Sequence, residues 1–247
     1  MKNKNLKHIL RKTSGKGASG RITVRHQAGR HKRYYREIDF KRNKFEVEGE
    51  ITSFEYDPNR NVEIALVKYI DGEYQYILGV KGFKLGDKVV SKEKAEIRLG
   101  NAMKLKNIPI GTIIHNVELI PGRGGQLARS AGAGVQVIAK EGKFAQLKLP
   151  SGEIRMVPLE GLATIGSLGN EEFKNRVIGK AGRSRWMGIR PTVRGVAQDP
   201  DSHPHGGGEG RSGIGRKKPM TVYGRPAVGK TRNKKKHSNK YIIKRRK

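Results

Sequence analysis

Residues 62–80 read VEIALVKYIDGEYQYILGV, two apolar runs joined by a short polar turn. The runs at 62–70 and 74–80 are rich in Val, Ile, Leu and Tyr, and most of these residue types favour β-strands. Between them lies Asp71-Gly72, a dipeptide typical of tight hairpin turns because glycine adopts positive φ without strain. The stretch therefore predicts an antiparallel hairpin within a β-rich fold.

Further strands are predicted on both sides of this hairpin. On the N-terminal side, EVEGEITSFEY at 46–56 precedes a type I turn with Pro58 in its second position. On the C-terminal side the strand pattern recurs in four segments, at 111–119, 134–139, 144–149 and 154–159. The two groups are separated near residues 100–110 and predict two small β-barrels, with a single sandwich as the alternative. Only NEEFKNRVI at 170–178 is predicted to be helical.

Charge is distributed in blocks along the 247 residues. The chain holds 53 Lys and Arg against 22 Asp and Glu, a net charge of +31. Residues 46–120 are close to neutral, whereas residues 1–45 carry +13 and residues 181–247 carry +16. A surface of this charge attracts a polyanion. The two basic arms are too poor in apolar residues to bury a core, so we expect them to stay extended until a partner orders them.

Several classes of protein are disfavoured by composition. Zero cysteines exclude disulfides and thiolate metal sites, and they fit a reducing cytosol. No amphipathic or membrane-spanning stretch is present, and MKNKNLKHILRK at the N-terminus lacks the apolar segment of a secretory signal. We therefore predict a cytoplasmic protein without a membrane partner, and an organelle-targeting segment is the alternative.

Two glycine motifs resemble nucleotide-binding signatures but lack the required context. GKGASG at 15–20 matches G-x-G-x-x-G, yet a basic segment precedes it and RITVRH, predicted to be extended, follows it. GRPAVGKT at 224–231 matches G-x-x-x-x-G-K-[ST]. The sixteen residues after Thr231 contain no acid for magnesium and no helical apolar face. Neither motif predicts a nucleotide site.

Two other segments favour RNA. PGRGGQLARSAGAG at 121–134 places two arginines among glycines, a pattern that lets backbone and guanidinium approach phosphates, although an ordinary inter-strand loop is the alternative. Residues 180–211 combine arginines with Trp186, which either stacks on a base or anchors a core. A DNA reader would present a recognition helix, and none is predicted here, so structured RNA is the expected partner.

The segment DSHPHGGGEGR at 201–211 admits three interpretations. His203 and His205 in an extended chain lie on one side, so a metal pair is allowed, with Asp199, Asp201 and Glu209 as further ligands. The same residues could serve an enzyme, but no orienting group for a general base is evident nearby. We favour a loop that shapes RNA, in which the glycines allow close approach to phosphates and the imidazoles donate or stack.

These segments resemble a known family. RWMGIRPTVRGVA followed by DSHPHGGGEGR, together with DFKRNK, EYDPNRN, IPIGTIIHNVEL, PGRGGQLARSAG and GKTRNKKK, is similar to the universal large-subunit ribosomal proteins, bacterial or organellar in type, that border the peptidyl-transferase centre. The resemblance covers nearly the whole chain, although the basic lead-in before GRIT is shorter than usual. It implies a mostly β fold with four segments: a basic N-terminal extension at 1–34, an oligonucleotide-binding (OB) barrel at 35–103, an SH3-like barrel at 104–180 and a basic RNA-threading extension at 181–247.

The resemblance also implies a function. It predicts a structural, non-enzymatic component of the large ribosomal subunit that binds large-subunit ribosomal RNA and contacts other ribosomal proteins. Contact with the small subunit and a nearby tRNA region are implied as well, in support of subunit association and tRNA placement. We expect no cofactor beyond Mg²⁺ held by the bound RNA. The competing functions are a free RNA-binding chaperone and an enzyme that uses His203 or His205.

No catalytic or metal-binding residue is predicted. The residues predicted to bind RNA are Arg21, Arg25, His26, Arg30, Lys32, Lys41, Arg42, Lys44, Arg123, Gly124, Gly125, Gln126, Arg129, Ser130, Arg183, Arg185, Trp186, Arg190, Arg194, His203, His205, Gly206, Gly207, Gly208, Arg211, Lys230, Arg232, Lys234 and Lys235.

Overall fold

The computed structural model describes residues 4–246, so residues 1–3 and Lys247 of the predicted extensions lie outside the described residues. The chain forms two compact units. The first, here called the core unit, comprises residues 1–10, 32–177 and 240–247; the second, the basic unit, comprises residues 11–31 and 178–239. The boundaries predicted for the four segments remain predictions, and the structure groups both barrels in one unit.

The first barrel of the core unit is a four-stranded antiparallel sheet in the order β5-β4-β3-β6. Its strands are β3 (Gly49–Glu55), β4 (Ile64–Tyr69), β5 (Tyr74–Leu78) and β6 (Lys88–Val89). The hairpin predicted at 62–80 is confirmed: Ile64 pairs with Leu78 and Lys68 pairs with Tyr74. Two short strands, β1 (Lys7–Ile9) and β2 (Tyr34–Arg36), pair with each other in a separate antiparallel sheet of the core unit.

Strand β4 is buried on both faces, which explains its continuous apolar run. Ala65 and Val67 pack in one cluster with Ile51, whereas Ile64 and Leu66 pack on the opposite face with Tyr76. Alternate side chains of a strand point to opposite faces, so a strand covered on both sides needs apolar residues at every position.

The second barrel is built on a seven-stranded antiparallel sheet in the order β15-β13-β12-β11-β8-β14-β7. Its strands, with the pair β9-β10, are β7 (Ala102–Lys104), β8 (Ile113–His115), β9 (Val117–Glu118), β10 (Gly125–Leu127), β11 (Val135–Glu141), β12 (Phe144–Lys148), β13 (Ile154–Pro158), β14 (Leu162–Ile165) and β15 (Ile242–Lys244). Its core is made mostly of Val, Ile, Leu and Ala side chains that are almost fully buried. The fold is mostly β, an OB barrel followed by an SH3-like barrel, as predicted.

One predicted strand is interrupted. The segment 111–119 forms β8 and β9 rather than one strand, because Asn116 between them has a φ of +49°. A residue in the left-handed region turns the chain and cannot continue a ladder. The break sends β9 to pair with β10, and it thereby carries the chain toward the glycine-rich loop at 121–125.

The helical predictions need correction. The helix predicted over 170–178 is only a 3₁₀ turn at Glu171–Asn175. Conversely, the segment predicted to lack helix contains α1 (Ala181–Met187). This helix has a glycine in its first turn, no acidic residue there and no buried side chain, so no sequence signal marks its start. It ends at Gly188, which has a φ of +95° and whose N–H donates to the Arg185 and Ser184 carbonyls, which closes the last turn.

The remaining regular structure consists of short 3₁₀ turns at Lys4–Leu6, Leu105–Asn107, Gly195–Ala197 and His237–Tyr241. RITVRH, predicted to be extended, forms irregular turns in the basic unit. Among the described residues, no helix has the length and apolar character needed to cross a membrane.

Candidate nucleic-acid interface

The basic unit concentrates charge without a core. Its 83 residues contain 21 Lys and Arg against three acidic residues, a net charge of +18. Only Gly15 and Ser238 are buried in this unit, and all the buried apolar side chains of the described chain lie in the core unit. Like charges at this density repel each other, and no apolar burial offsets that repulsion. The arrangement is therefore suited to a polyanion that neutralises it.

Two basic segments that are distant in sequence meet within this unit. The Ala28 N–H donates to the Gly188 carbonyl (2.8 Å), and the Arg190 N–H donates to the His26 carbonyl (3.0 Å). This backbone pairing fixes the chain that follows α1 against residues 26–31. It brings side chains from two of the predicted RNA-binding segments into one folded element.

Trp186 lies on α1 with 62% of its surface exposed. The interpretation of this residue as a core anchor is therefore wrong. Its carbonyl accepts the His31 N–H (3.0 Å), which holds the helix in place while the indole stays open to solvent. The Lys180 ammonium lies 5.0 Å from the ring centre. An exposed indole beside cations can stack on an unpaired base.

The HPHGGG loop is packed on itself. A Cβ added to Gly195 would stand 2.5 Å from the His203 ring, and one added to Gly206 would stand 2.3 Å from the Asp199 carbonyl oxygen. At both positions a larger residue would clash with the protein's own atoms, so the close packing of the loop requires glycine. Close approach of Gly206, Gly207 and Gly208 to phosphates stays a prediction. For Gly206, contact with the Asp199 carbonyl already requires glycine at this position, whether or not RNA is bound.

Both imidazoles accept a backbone hydrogen bond. The His205 N–H donates to Nδ1 of His203 (3.1 Å), and the Met220 N–H donates to Nε2 of His205 (2.9 Å). These bonds assign the remaining proton to Nε2 of His203 and to Nδ1 of His205. Each ring therefore has one nitrogen engaged by the protein and one N–H left to donate. The described residues include no group of three or more His, Asp or Glu that could hold a metal ion.

The glycine-rich loop at 121–125 belongs to the core unit, and its amides are satisfied internally. The Gly122 and Gly124 N–H groups donate to the Glu118 carboxylate (3.2 and 2.8 Å), and the Gly125 N–H donates to the Phe40 carbonyl (2.8 Å). Gly124 and Gly125 are buried, whereas Arg123 is exposed. Contact of the two glycines with RNA stays a prediction, and Arg123 is the group that this loop presents to solvent.

Arg129 is exposed yet tied to the same loop. Its guanidinium carbon lies 4.4 Å from the Phe40 ring centre, and its Nη1 donates to the Gly125 carbonyl (3.1 Å). A second guanidinium, that of Arg60, lies 5.4 Å from the same ring. Sequence reasoning missed Phe40, because nothing in DFKRNK marks it as a platform for guanidinium groups.

The predicted RNA-binding residues at 41–44 divide by environment. Arg42 is buried, and it donates through Nε to the Ser91 hydroxyl (3.3 Å) and through Nη2 to the Gly100 carbonyl (3.1 Å). Lys44 is paired with Asp71 and Glu73. Arg42 therefore acts inside the core unit, and of these residues Lys41 is exposed.

Most of the other predicted positions lie at the surface. In the basic unit the exposed ones are Arg21, Arg25, Arg185, Arg190, Arg194, Arg211, Lys230, Arg232, Lys234 and Lys235, and in the core unit they are Lys32, Gln126 and Ser130. His26, Arg30 and Arg183 are half-buried. Arg232 also donates to Ser238 and Asn239, at 2.8 and 2.6 Å, which orders the end of the unit.

The titratable group with the largest shift lies away from these positions. Burial lowers the pKa of His115 in the core unit to about 4, although its Nδ1 donates to the Gly166 carbonyl (2.8 Å). A histidine that is neutral, enclosed and tied to a backbone carbonyl serves packing rather than proton transfer.

Two barrels that bury the apolar residues, together with a coreless unit of high positive charge, define an RNA-binding scaffold protein. Comparison with family models identifies the family. Residues 3–91 match the model described as Ribosomal Proteins L2, RNA binding N-terminal domain, and residues 98–224 match Ribosomal Proteins L2, C-terminal domain. The chain belongs to the ribosomal protein L2 family. It is a structural component of the large ribosomal subunit, and ribosomal RNA and other ribosomal proteins are its partners.

Proposed function

We propose that the basic unit supplies most of the ribosomal RNA contacts and that the core unit acts as a rigid platform. Arg123 and Lys41 of the core unit make further contacts with the RNA. The segregation of charge from apolar burial carries this proposal. Residues 11–31 and 178–239 hold +18 and almost no buried side chain. Phosphate neutralisation provides the stabilisation that a hydrophobic core would otherwise give.

We also propose that the protein itself catalyses no reaction. The engaged nitrogens of His203 and His205 support it, because a general base needs a free lone pair that faces its substrate. The lone pairs that these bonds use are also the ones a metal ion would need. Mg²⁺ is accordingly expected to be held by RNA phosphates rather than by this chain.

We further propose that the protein, located with the large subunit in the cytoplasm, supports subunit association and tRNA placement near the peptidyl-transferase centre. The similarity of RWMGIRPTVRGVA and HPHGGGEGR to their counterparts in the family supports this part. The exposed Trp186 and the N–H groups that His203 and His205 have left to donate are suitable contacts for RNA in such a position.

Salt dependence of binding tests where the contacts lie. Full-length chain and large-subunit ribosomal RNA transcribed in vitro are titrated at several salt concentrations. We expect Lys234→Ala and Lys235→Ala each to weaken binding and to lower the slope of log affinity against log salt by about one. The matched control is Lys148→Ala on β12 of the core unit, for which we expect an unchanged slope.

An equal change of slope for Lys148→Ala and the tail variants would contradict the assignment of contacts to the basic unit. The same variants, built into reconstituted large subunits, test the finer proposal. We expect the fraction of large subunits that join small subunits in a sucrose gradient to fall for the tail variants and to be unchanged for the control. Joining that is unaffected in all particles would overturn the role in subunit association.

A further inference from the structure

Glu118 is a fully buried carboxylate without a cationic partner. Its side chain on β9 is 1% exposed, and among the described residues it forms no ion pair with Lys, Arg or His. Burying a carboxylate is costly unless hydrogen bonds replace its water. Here three backbone amides do so, those of Gly122 (3.2 Å), Gly124 (2.8 Å) and Leu162 (3.0 Å).

These amides come from two places in the fold. Leu162 begins β14, a strand inside the seven-stranded sheet, whereas Gly122 and Gly124 belong to the loop that follows β9. The carboxylate therefore ties the loop to a rigid strand. Charge-assisted hydrogen bonds of this kind are about twice as strong as neutral ones. Amides of nearby residues that converge in this way form an anion-binding concavity, and the protein fills it with its own carboxylate.

Arg123 lies between Gly122 and Gly124, the two loop residues whose amides Glu118 binds. Its own N–H donates to the Ile120 carbonyl (3.2 Å), so the backbone on both sides of this residue is fixed while its side chain is exposed. We propose that Glu118 is a positioning residue that fixes the loop at 121–125 in the conformation that presents Arg123 to ribosomal RNA. The inference rests on the proposed RNA contact of Arg123. A buried negative charge would thus strengthen binding to a polyanion by pre-organising one arginine.

The sign of the effect distinguishes positioning from simple charge. Glu118→Gln removes one negative charge, and electrostatics alone would make binding to RNA tighter. We expect the opposite, about fivefold weaker binding of the full chain to large-subunit ribosomal RNA transcribed in vitro. The matched control is Glu153→Gln, the same charge change at a half-buried residue in the turn between β12 and β13, for which we expect unchanged or slightly tighter binding.

A double-mutant cycle with Arg123→Ala completes the test. Arg123→Ala alone should weaken binding about tenfold, and adding Glu118→Gln to it should change the affinity less than twofold, because nothing remains to be positioned. Equal losses from Glu118→Gln in both backgrounds would show a general structural role and overturn the inference. So would a loss for Arg123→Ala without one for Glu118→Gln. No loss for Arg123→Ala would instead refute the proposed RNA contact of this loop.

Amide hydrogen exchange supplies a readout independent of RNA. We expect faster exchange at Gly122 and Gly124 in Glu118→Gln while the amides of β11 and β12 stay protected. If Glu118→Gln does not fold, Glu118→Asp retains the charge with a shorter reach, and we expect an intermediate loss of affinity for it. Unchanged exchange at Gly122 and Gly124 in a folded variant would contradict the inference.

Discussion

The two units of this chain are stabilised in different ways. The core unit has 164 residues, a net charge of +13 and every apolar cluster of the described chain, whereas the basic unit has half as many residues and a larger charge. In the first, β-strands bury Val, Ile and Leu side chains. In the second, turns and short backbone contacts hold an arrangement that self-repulsion opposes. We therefore expect the core unit to fold without RNA and the basic unit to be stabilised by bound RNA.

Core truncation should give the largest difference between the units. Leu147→Ala removes a fully buried side chain of the second barrel, and we expect a loss of about 2–5 kcal/mol in the free energy of unfolding. The control Val228→Ala removes a side chain that is 68% exposed in the basic unit, and its cost should lie within about 0.5 kcal/mol.

Two optical probes separate the units in that experiment. Trp186, the only tryptophan of the chain, lies in the basic unit, so its fluorescence reports that unit. Far-ultraviolet circular dichroism reports mainly the strands of the core unit. Without RNA we expect the fluorescence transition at lower urea than the dichroism transition, and only the latter should shift in Leu147→Ala. Coincident transitions, or equal costs for the two variants, would show that the units are not independent in stability.

Acid should weaken the core unit through His115. Burial, reinforced by the nearby Arg42 charge, lowers the pKa of His115 in the folded protein from 6.5 to about 4. Between these values the unfolded chain binds the proton and the folded chain does not, so stability falls as the pH drops from about 6.5 to 4. The difference of pKa corresponds to a loss of about 3 kcal/mol at the end of that window.

Urea unfolding followed by circular dichroism at several pH values measures this loss. The control is His115→Asn, which keeps an N–H donor for the Gly166 carbonyl but does not titrate. We expect its stability curve to be flatter than that of the natural chain between pH 6.5 and 4.5. Curves that remain parallel across that range would show that His115 is not the group responsible.

Local patterns predicted much of the fold. Asp71-Gly72 fixed the hairpin of β4 and β5, because a tight turn depends on residues that are adjacent in sequence. Helix α1 had only Gly188 at its end as a local signal, and it is also held by pairing with residues 26–31, which are more than 150 positions away. Strand β15 was also missed, because Ile242–Lys244 is extended only through its pairing with β13, which is distant in sequence.

The candidate site shows the same limit. Positive charge and glycine content predicted which segments face RNA, because the attraction depends on composition, and these contacts stay a prediction. They could not show that Arg42 is enclosed by Ser91 and Gly100, or that Glu118 occupies the amides of the glycine loop. Burial and hydrogen-bond partners arise from contacts between distant parts of the chain, so one local pattern is compatible with an exposed or an enclosed side chain.

The smallest expected effect concerns His203, where a matched pair of substitutions distinguishes the roles of its two ring nitrogens. His203→Asn places an oxygen near the position of Nδ1 and can still accept the His205 N–H, whereas His203→Gln reaches the position of Nε2 and loses that inward bond. Since one neutral hydrogen bond is worth about 1 kcal/mol, we expect tRNA binding or assembly to be about fivefold weaker for Gln than for Asn. If a contact of the His203 Nε2–H with RNA contributes more than the bond from the His205 N–H, binding will instead be weaker for Asn than for Gln.

The same two variants decide between a structural and a catalytic role. In fully assembled particles we expect single-turnover peptide-bond rates within about twofold of normal for both, because the proposed structural role requires no proton transfer by His203. Loss of a general acid or base would instead cost about a hundredfold or more. Such a loss in both variants, at every pH and with assembly intact, would mean that the imidazole itself takes part in the reaction. The basic unit would then have to be considered an active site rather than a surface that RNA completes.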